Sequence, residues 1–143
     1  MDYCCCFKTS TKILKSVALR EQPIMAGYSV IFDENVIETC TKNIISHIPG
    51  TSEFIINKCG FYEVIYKFNY TTNNLGIITF MLDNIPGSRI VVQATTTPQT
   101  GYIAMTDVFM LPAGSVIDLH FVSHFGTSDS LLISDAEITI KKL

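Results

Sequence analysis

Charge is scarce in this 143-residue chain: 16% of its residues are Asp, Glu, Lys or Arg, against about 25% in an ordinary soluble domain. The apolar fraction is nevertheless an ordinary 48%, and mean hydropathy is +0.33, which excludes a disordered chain. A small domain with so few charges cannot coat its whole surface with polar groups, so burial of one face against further copies is expected. Between Ile90 and Ile140 there is no Lys or Arg, yet Asp107, Asp118, Asp129, Asp135 and Glu137 occur there. The body therefore has no basic stripe to follow phosphates, and nucleic acid is not an expected partner. No run approaches the roughly 18 to 20 apolar residues that cross a bilayer as a helix, so no membrane span is expected. The opening MDYCCCFKTSTKILK lacks the apolar segment of a secretory signal, which predicts a soluble protein without classical export. Ala and Leu together number only 15, which excludes a helical bundle. The G-x-S-x-G elbow, the P-loop and H-E-x-x-H are all missing, so the common hydrolase and nucleotide-binding motifs are not available.

What is abundant is branching at Cβ. Ile, Val and Thr supply 43 residues, and Phe with Tyr another 15. Such side chains lose rotamer freedom in helices and pack well on a pleated surface, which predicts an almost all-β protein. Gly or Pro punctuates the chain at the intervals of short strands, from Gly27 through Pro49-Gly50, Gly60, Gly76, Pro86-Gly87, Pro98, Pro112 and Gly114 to Gly126. GFYEVIYKFNY, residues 60 to 70, puts Tyr62, Val64, Tyr66, Phe68 and Tyr70 on one face. The closing segment repeats the pattern with Ala136, Ile138 and Ile140. Further strands are expected near 24 to 32, 35 to 39, 43 to 48, 52 to 57, 75 to 83, 89 to 97, 100 to 110 and 115 to 124, about ten in all, as in two packed sheets. A single domain fits the length. Residues 1 to 22, of which the first 20 carry a net +3, read as a basic, cysteine-bearing arm, and residues 23 to 143 as the folded body.

Cys4, Cys5 and Cys6 are consecutive, and Cys40 and Cys59 follow in the body. An odd count prevents complete pairing within the chain. Neighbouring cysteines rarely bridge, because the preferred Cα separation of about 5.5 Å exceeds the 3.8 Å between adjacent residues. Neither the triplet nor the spacing of Cys40 and Cys59 offers the C-x2-C pair that zinc favours. Two readings stand: reduced, incidental thiols, or an arm whose thiols link to Cys40 or Cys59 of neighbouring subunits. The second requires an oxidising destination.

The nearest catalytic-looking group is Asp118, His120 and His124, on one face if 115 to 124 is a strand. His120 and His124 would then be about 13 Å apart, too far to share an ion. Asp118 and His120 could join a site completed by another strand; otherwise they are polar positions on the less buried face. VVQATTTPQTGY, residues 91 to 102, is uncharged and threonine-rich, which suits either a loop for glycan or ligand contact or a plain hairpin turning at Pro98.

Taken together, GFYEVIYKFNY, TFMLDNIPGSRIV (79 to 91), FMLPAGSVIDLHF (109 to 121) and the closing AEITIKKL resemble the C1q and tumour-necrosis-factor-like jelly roll. Gly60 with Tyr62, and Leu111 with Gly114, carry the family's hallmarks. In particular the segments resemble the C-terminal domains of collagen-like glycoproteins of the bacterial spore exosporium, and the cysteine arm resembles the connectors of endospore appendage subunits. The resemblance implies an antiparallel ten-stranded jelly roll that forms a trimer, without catalysis and without a resident cofactor. It also implies partnership with itself and other spore-surface proteins, and exposure outside the cell without a signal peptide. A trimeric tip that binds a ligand or glycan is the alternative. Some C1q-like relatives bind calcium, for which Asp107, Asp118, Asp129 and Asp135 are the candidate acids, against a role as solvated carboxylates. No collagen-like stalk is present.

Overall fold

In the computed structural model, residues 11–83, 85–124 and 131–143 are described. Among them there is no helix. The strands are β1 (Lys12–Val17), β2 (Gln22–Ile24), β3 (Glu34–Thr39), β4 (Ile45–His47), β5 (Phe54–Ile56), β6 (Gly60–Thr72), β7 (Gly76–Leu82), β8 (Ile90–Ala94), β9 (Gln99–Leu111), β10 (Val116–Ile117), β11 (Leu119–His124) and β12 (Leu131–Lys142). All pairings are antiparallel. One layer is a six-stranded sheet ordered β3-β1-β12-β6-β9, with β2 also on β12; the other combines β10-β5-β4 with β11-β7-β8. The continuous run of β10 and β11 stitches the two small sheets together. Segment 27 to 30 adds bonds to β11, such as Val30 N–H to the Leu119 carbonyl at 2.9 Å.

The period-two reading of β6 survives in full: Tyr62, Val64, Tyr66, Phe68 and Tyr70 all point into the core, as do Ala136, Ile138 and Ile140 of β12. Opposite them, Ile78, Phe80 and Leu82 of β7 and Leu119 and Phe121 of β11 close the sandwich. Phe68 packs on Phe80 with ring centroids 4.7 Å apart, and Phe80 stacks on Phe121 at 5.1 Å. Alternating aromatic and aliphatic positions on two facing sheets produce one continuous apolar layer, the dominant stabilising term for such a fold.

Four features differ from the sequence reading. The sheet begins at Lys12, not after Pro23, because Leu14 is an apolar inward position and β1 lies between β3 and β12. Six residues of the expected arm, Lys12–Val17, are therefore an inner strand of their own subunit. The expected strand 24 to 32 is instead β2, a turn with Gly27 at φ 94°, and an extended run tied by isolated bridges at Ser29 and Phe32. The expected strand 115 to 124 divides at Asp118, and the described residues form twelve strands where ten were expected. Finally, β8 and β9 belong to different sheets, so residues 91 to 102 form a crossover between layers and not a hairpin. Gln99 clasps that crossover: its side-chain oxygen accepts from Thr95 N–H at 2.9 Å, and its amide donates to the Tyr70 hydroxyl at 3.0 Å.

Gly101 lies opposite Tyr70, and a Cβ there would overlap the Tyr70 ring. Gly101→Ala should therefore cost about 1 to 3 kcal/mol in chemical denaturation. The Tyr66 hydroxyl is buried with no hydrogen-bond partner among the described residues, and burial raises its pKa. Tyr66→Phe should stabilise the protein by about 1 kcal/mol in the same assay, because it removes an unsatisfied polar atom.

Candidate functional site

Asp118 and His120 do come together, and a third residue joins them from far along the chain. Ser29 and His120 face each other as an antiparallel bridge. Tyr28 and Val30 make the backbone bonds that flank it, to Phe121 and Leu119, so Ser29 and His120 form the closer, non-hydrogen-bonded type of pair with side chains on one face. Ser29 Oγ donates to Asp118 Oδ1 at 3.0 Å and lies 3.1 Å from His120 Nδ1. Burial raises the pKa of Asp118; the Ser29 bond lowers it, Asp83 raises it, His120 lowers it and Glu53 raises it. Nothing local in the sequence points to Ser29, because it is 89 residues from Asp118.

The order is Asp–Ser–His, with the hydroxyl in the middle. With the hydroxyl proton on the carboxylate, His120 Nδ1 donates to Oγ; in the other tautomer Nδ1 is an acceptor to which the hydroxyl can turn. The described chemistry is a polar clasp that holds segment 27 to 30 against β11. The backbone of His124 closes β11, while its side chain lies outside the described residues.

The candidate calcium acids are dispersed. Asp107 is on β9, where Oδ1 accepts from Val108 N–H at 2.8 Å. Asp135 occupies a bulge in β12 with φ 52° and accepts from Asn69 Nδ2 at 3.1 Å. Asp118 is in the other layer, and Asp129 lies outside the described residues. Among the described residues no three His, Cys, Asp or Glu side chains converge on one point suited to a metal ion.

Gly60 stands opposite Leu111, and a Cβ there would sit 3.0 Å from the Lys142 side chain. Tyr62 is fully buried and donates its hydroxyl to the Lys58 carbonyl; burial, then the charge of nearby Cys59, raises its pKa. Gly114 holds φ 91° in the turn that starts at Pro112. Cys40 is buried and Cys59 exposed, whereas Cys4, Cys5 and Cys6 lie outside the described residues.

The surface features are an edge and two grooves. β9 is an edge strand of 13 residues, bonded among the described residues to β6 alone. On the outward face of the large sheet, Phe61 is paired with Met110, Glu63 with Val108, and Asn69 with Tyr102. Phe61, Tyr102, Val108 and Met110 are 58%, 62%, 46% and 55% exposed. A groove of about 460 Å³ continues this apolar strip between Ile85-Pro86 and the end of β9. Away from the edge the same face turns polar: Glu137 on β12 bonds Lys67 at 3.2 Å and Lys15 at 3.5 Å. A second groove of about 580 Å³ is lined by Met25, Tyr28 and Ile31. Beside it the Gln22 amide clamps the Ile31 backbone, donating to its carbonyl at 2.7 Å and accepting from its N–H at 2.8 Å.

Asp118 ionises at higher pH when folded than its ordinary 3.8, so its ionisation lowers stability as pH rises from that value through its folded value, and the deficit is complete above it. Asp118→Asn keeps an oxygen for Ser29. Thermal melts should show the variant more stable than the parent at pH 7, with the gain shrinking as pH falls through the folded value of Asp118 and gone by about 3.8.

No protein-family model and no curated protein matches the sequence. Solved structures do match in shape. The globular domain of zebrafish complement 1qA protein gives a TM-score of 0.66 at 10% identity, covering 94% of this chain and 98% of that one. The Eiger TNF of S. frugiperda gives 0.66 at 9% identity, over 93% of this chain and 92% of its own. Murine APRIL gives 0.64 at 12% identity, over 94% and 100%. The fold is an all-β, antiparallel C1q/TNF-like jelly roll.

Proposed function

We propose that this chain is a non-enzymatic, self-assembling structural subunit: a trimer packed through the β9 edge, tied by its cysteines into a bacterial spore-surface layer or appendage. The observation that carries the reading is the uncovered edge. Thirteen residues of β9 present one row of backbone groups beside Phe61, Tyr102, Val108 and Met110. A long apolar edge of this kind recruits another chain unless it is blunted by charge or covered. Asp107 is the only charged residue on β9, so a second copy is the economical cover.

The trimer is supported by the C1q/TNF likeness, whose shape the chain shares along nearly its whole length. The cysteine triplet of the arm, the exposed Cys59 and the resemblance to exosporium and appendage proteins support covalent assembly outside the reducing cytosol. Immunogold labelling of intact spores tests the location: surface label supports it, and label confined to the cell interior refutes it.

Val108→Asp combined with Met110→Asp places two carboxylates within the proposed apolar contact, where burial without a partner costs several kcal/mol. Sedimentation should show the double variant as folded single chains at concentrations where the parent is a trimer. An unchanged trimer would remove the β9 edge from the interface.

A further inference from the structure

The groove of about 580 Å³ at Met25, Tyr28 and Ile31 lies where the chain leaves β2 and crosses to the other layer. β2 pairs with β12 at Leu131 to Ile133, while β6 and then β9 follow on the other side of β12. Groove and β9 edge therefore occupy opposite margins of the large sheet. Met25, Tyr28, Ile31 and the neighbouring Leu19 are all exposed. Three side-chain clasps fix the walls around them. Gln22 holds the Ile31 backbone at both its N–H and its carbonyl, Asp33 Oδ2 accepts from Leu19 N–H at 2.7 Å, and Ser29 ties segment 27 to 30 to β11 through Asp118 and His120. Apolar side chains held out by polar clasps form a preorganised surface, which loses little conformational freedom on contact.

The charges in the lining are of both signs: Arg20 stands with Glu21 and Asp33. Among the described residues Arg20 and Glu21 form no ion pair. A surface that carries apolar side chains together with both signs of charge is complementary to itself. In a two-fold contact the guanidinium of each copy meets a carboxylate of the other, so one symmetry operation satisfies both pairs. A partner of a single charge sign would instead face part of the lining with like charge. The groove is also misplaced to receive the β9 strip of the next copy in a ring of three, because contacts on opposite margins run copies along an open line.

Resting on the self-assembling reading above, we infer that this groove is a second contact between copies of the chain, two-fold and separate from the β9 edge, through which one trimer joins another. Leu19, Met25, Tyr28 and Ile31 supply its apolar centre, and Arg20 with the facing acids supplies its rim. Four apolar side chains fall well short of the roughly 20 to 30 residues a side of a standard stable interface, so one such contact is weak. A trimer carries three grooves, and association through several of them raises the effective affinity. Dilute trimers therefore stay separate, and concentrated trimers associate.

Sedimentation velocity of the full, reduced chain over a rising concentration series tests this. The parent should sediment as trimers when dilute and shift to pairs of trimers and larger species when concentrated. Met25→Glu combined with Tyr28→Glu should abolish the shift. Arg20→Glu, which sets like charges across the contact, should abolish it too, whereas Arg20→Lys should keep it. These substitutions change exposed positions, so each variant should retain the dilute trimer. Trimers of the parent that stay separate at every concentration would leave the groove to another partner and overturn the inference. Association that survives both glutamate variants would overturn it as well, and so would loss of the dilute trimer in Met25→Glu with Tyr28→Glu, which would place the groove inside the trimer contact. A parent that sediments as a single chain would instead refute the underlying reading.

Discussion

The constraint on which this molecule depends is the long, apolar, one-sided edge of β9. Every other strand of the large sheet is paired on both sides or lies at the β3 margin, where the outer groups include Glu34 and Glu38. β9 combines 13 residues of unpaired edge with a flank of Phe61, Tyr102, Val108 and Met110. The low charge of the sequence is the compositional expression of the same fact. Four exposed apolar side chains gather at the β9 margin, while others, such as Val36 and Ile37 on β3 and Tyr28 and Ile31, lie elsewhere on the surface.

The interior explains why that side can stay apolar without misfolding. The β6 residues Tyr62, Val64, Tyr66, Phe68 and Tyr70 fill five successive inward positions of the core, and a slip of one residue would exchange them for a set that includes Glu63, Lys67 and Asn69. The register is therefore fixed by the two faces of β6 themselves. Glu137, bonded to both Lys15 and Lys67, keeps the middle of the outward face polar and confines the apolar strip to the β9 margin. Such exposed ion pairs contribute little to stability, but they mark where the uncovered region stops.

The sheet architecture was legible because β6 alternates strictly and β12 does so on either side of its bulge at Asp135, and period two in a Thr-, Ile- and Tyr-rich segment has no helical competitor. What was not legible depended on contacts between distant segments. KILKSV of β1 looks like a basic arm because Lys12 and Lys15 dominate its appearance, yet Leu14 and Ser16 are the buried positions that place it inside the sheet. Asp118 and His120 could be read as a pair, whereas Ser29 could not, since only the bridge between segment 27 to 30 and β11 brings it there. Gly101 next to a tyrosine-rich strand is another such case: its need for a bare Cα appears only once β9 is laid against Tyr70. The cysteines were visible as an odd set, but that Cys40 and Cys59 lie at the same end of the large sheet follows from strand register, which composition does not contain.

Fold and edge together describe a subunit shaped for association. The apolar strip runs along the side of the sandwich, which is the side the proposed trimer would pack. Sedimentation equilibrium of the dilute, reduced, unmodified chain is the most direct measurement of this account. It predicts a mass about three times the 15.9 kDa of one chain without any disulfide, and a folded species that remains at 15.9 kDa across micromolar concentrations would contradict it.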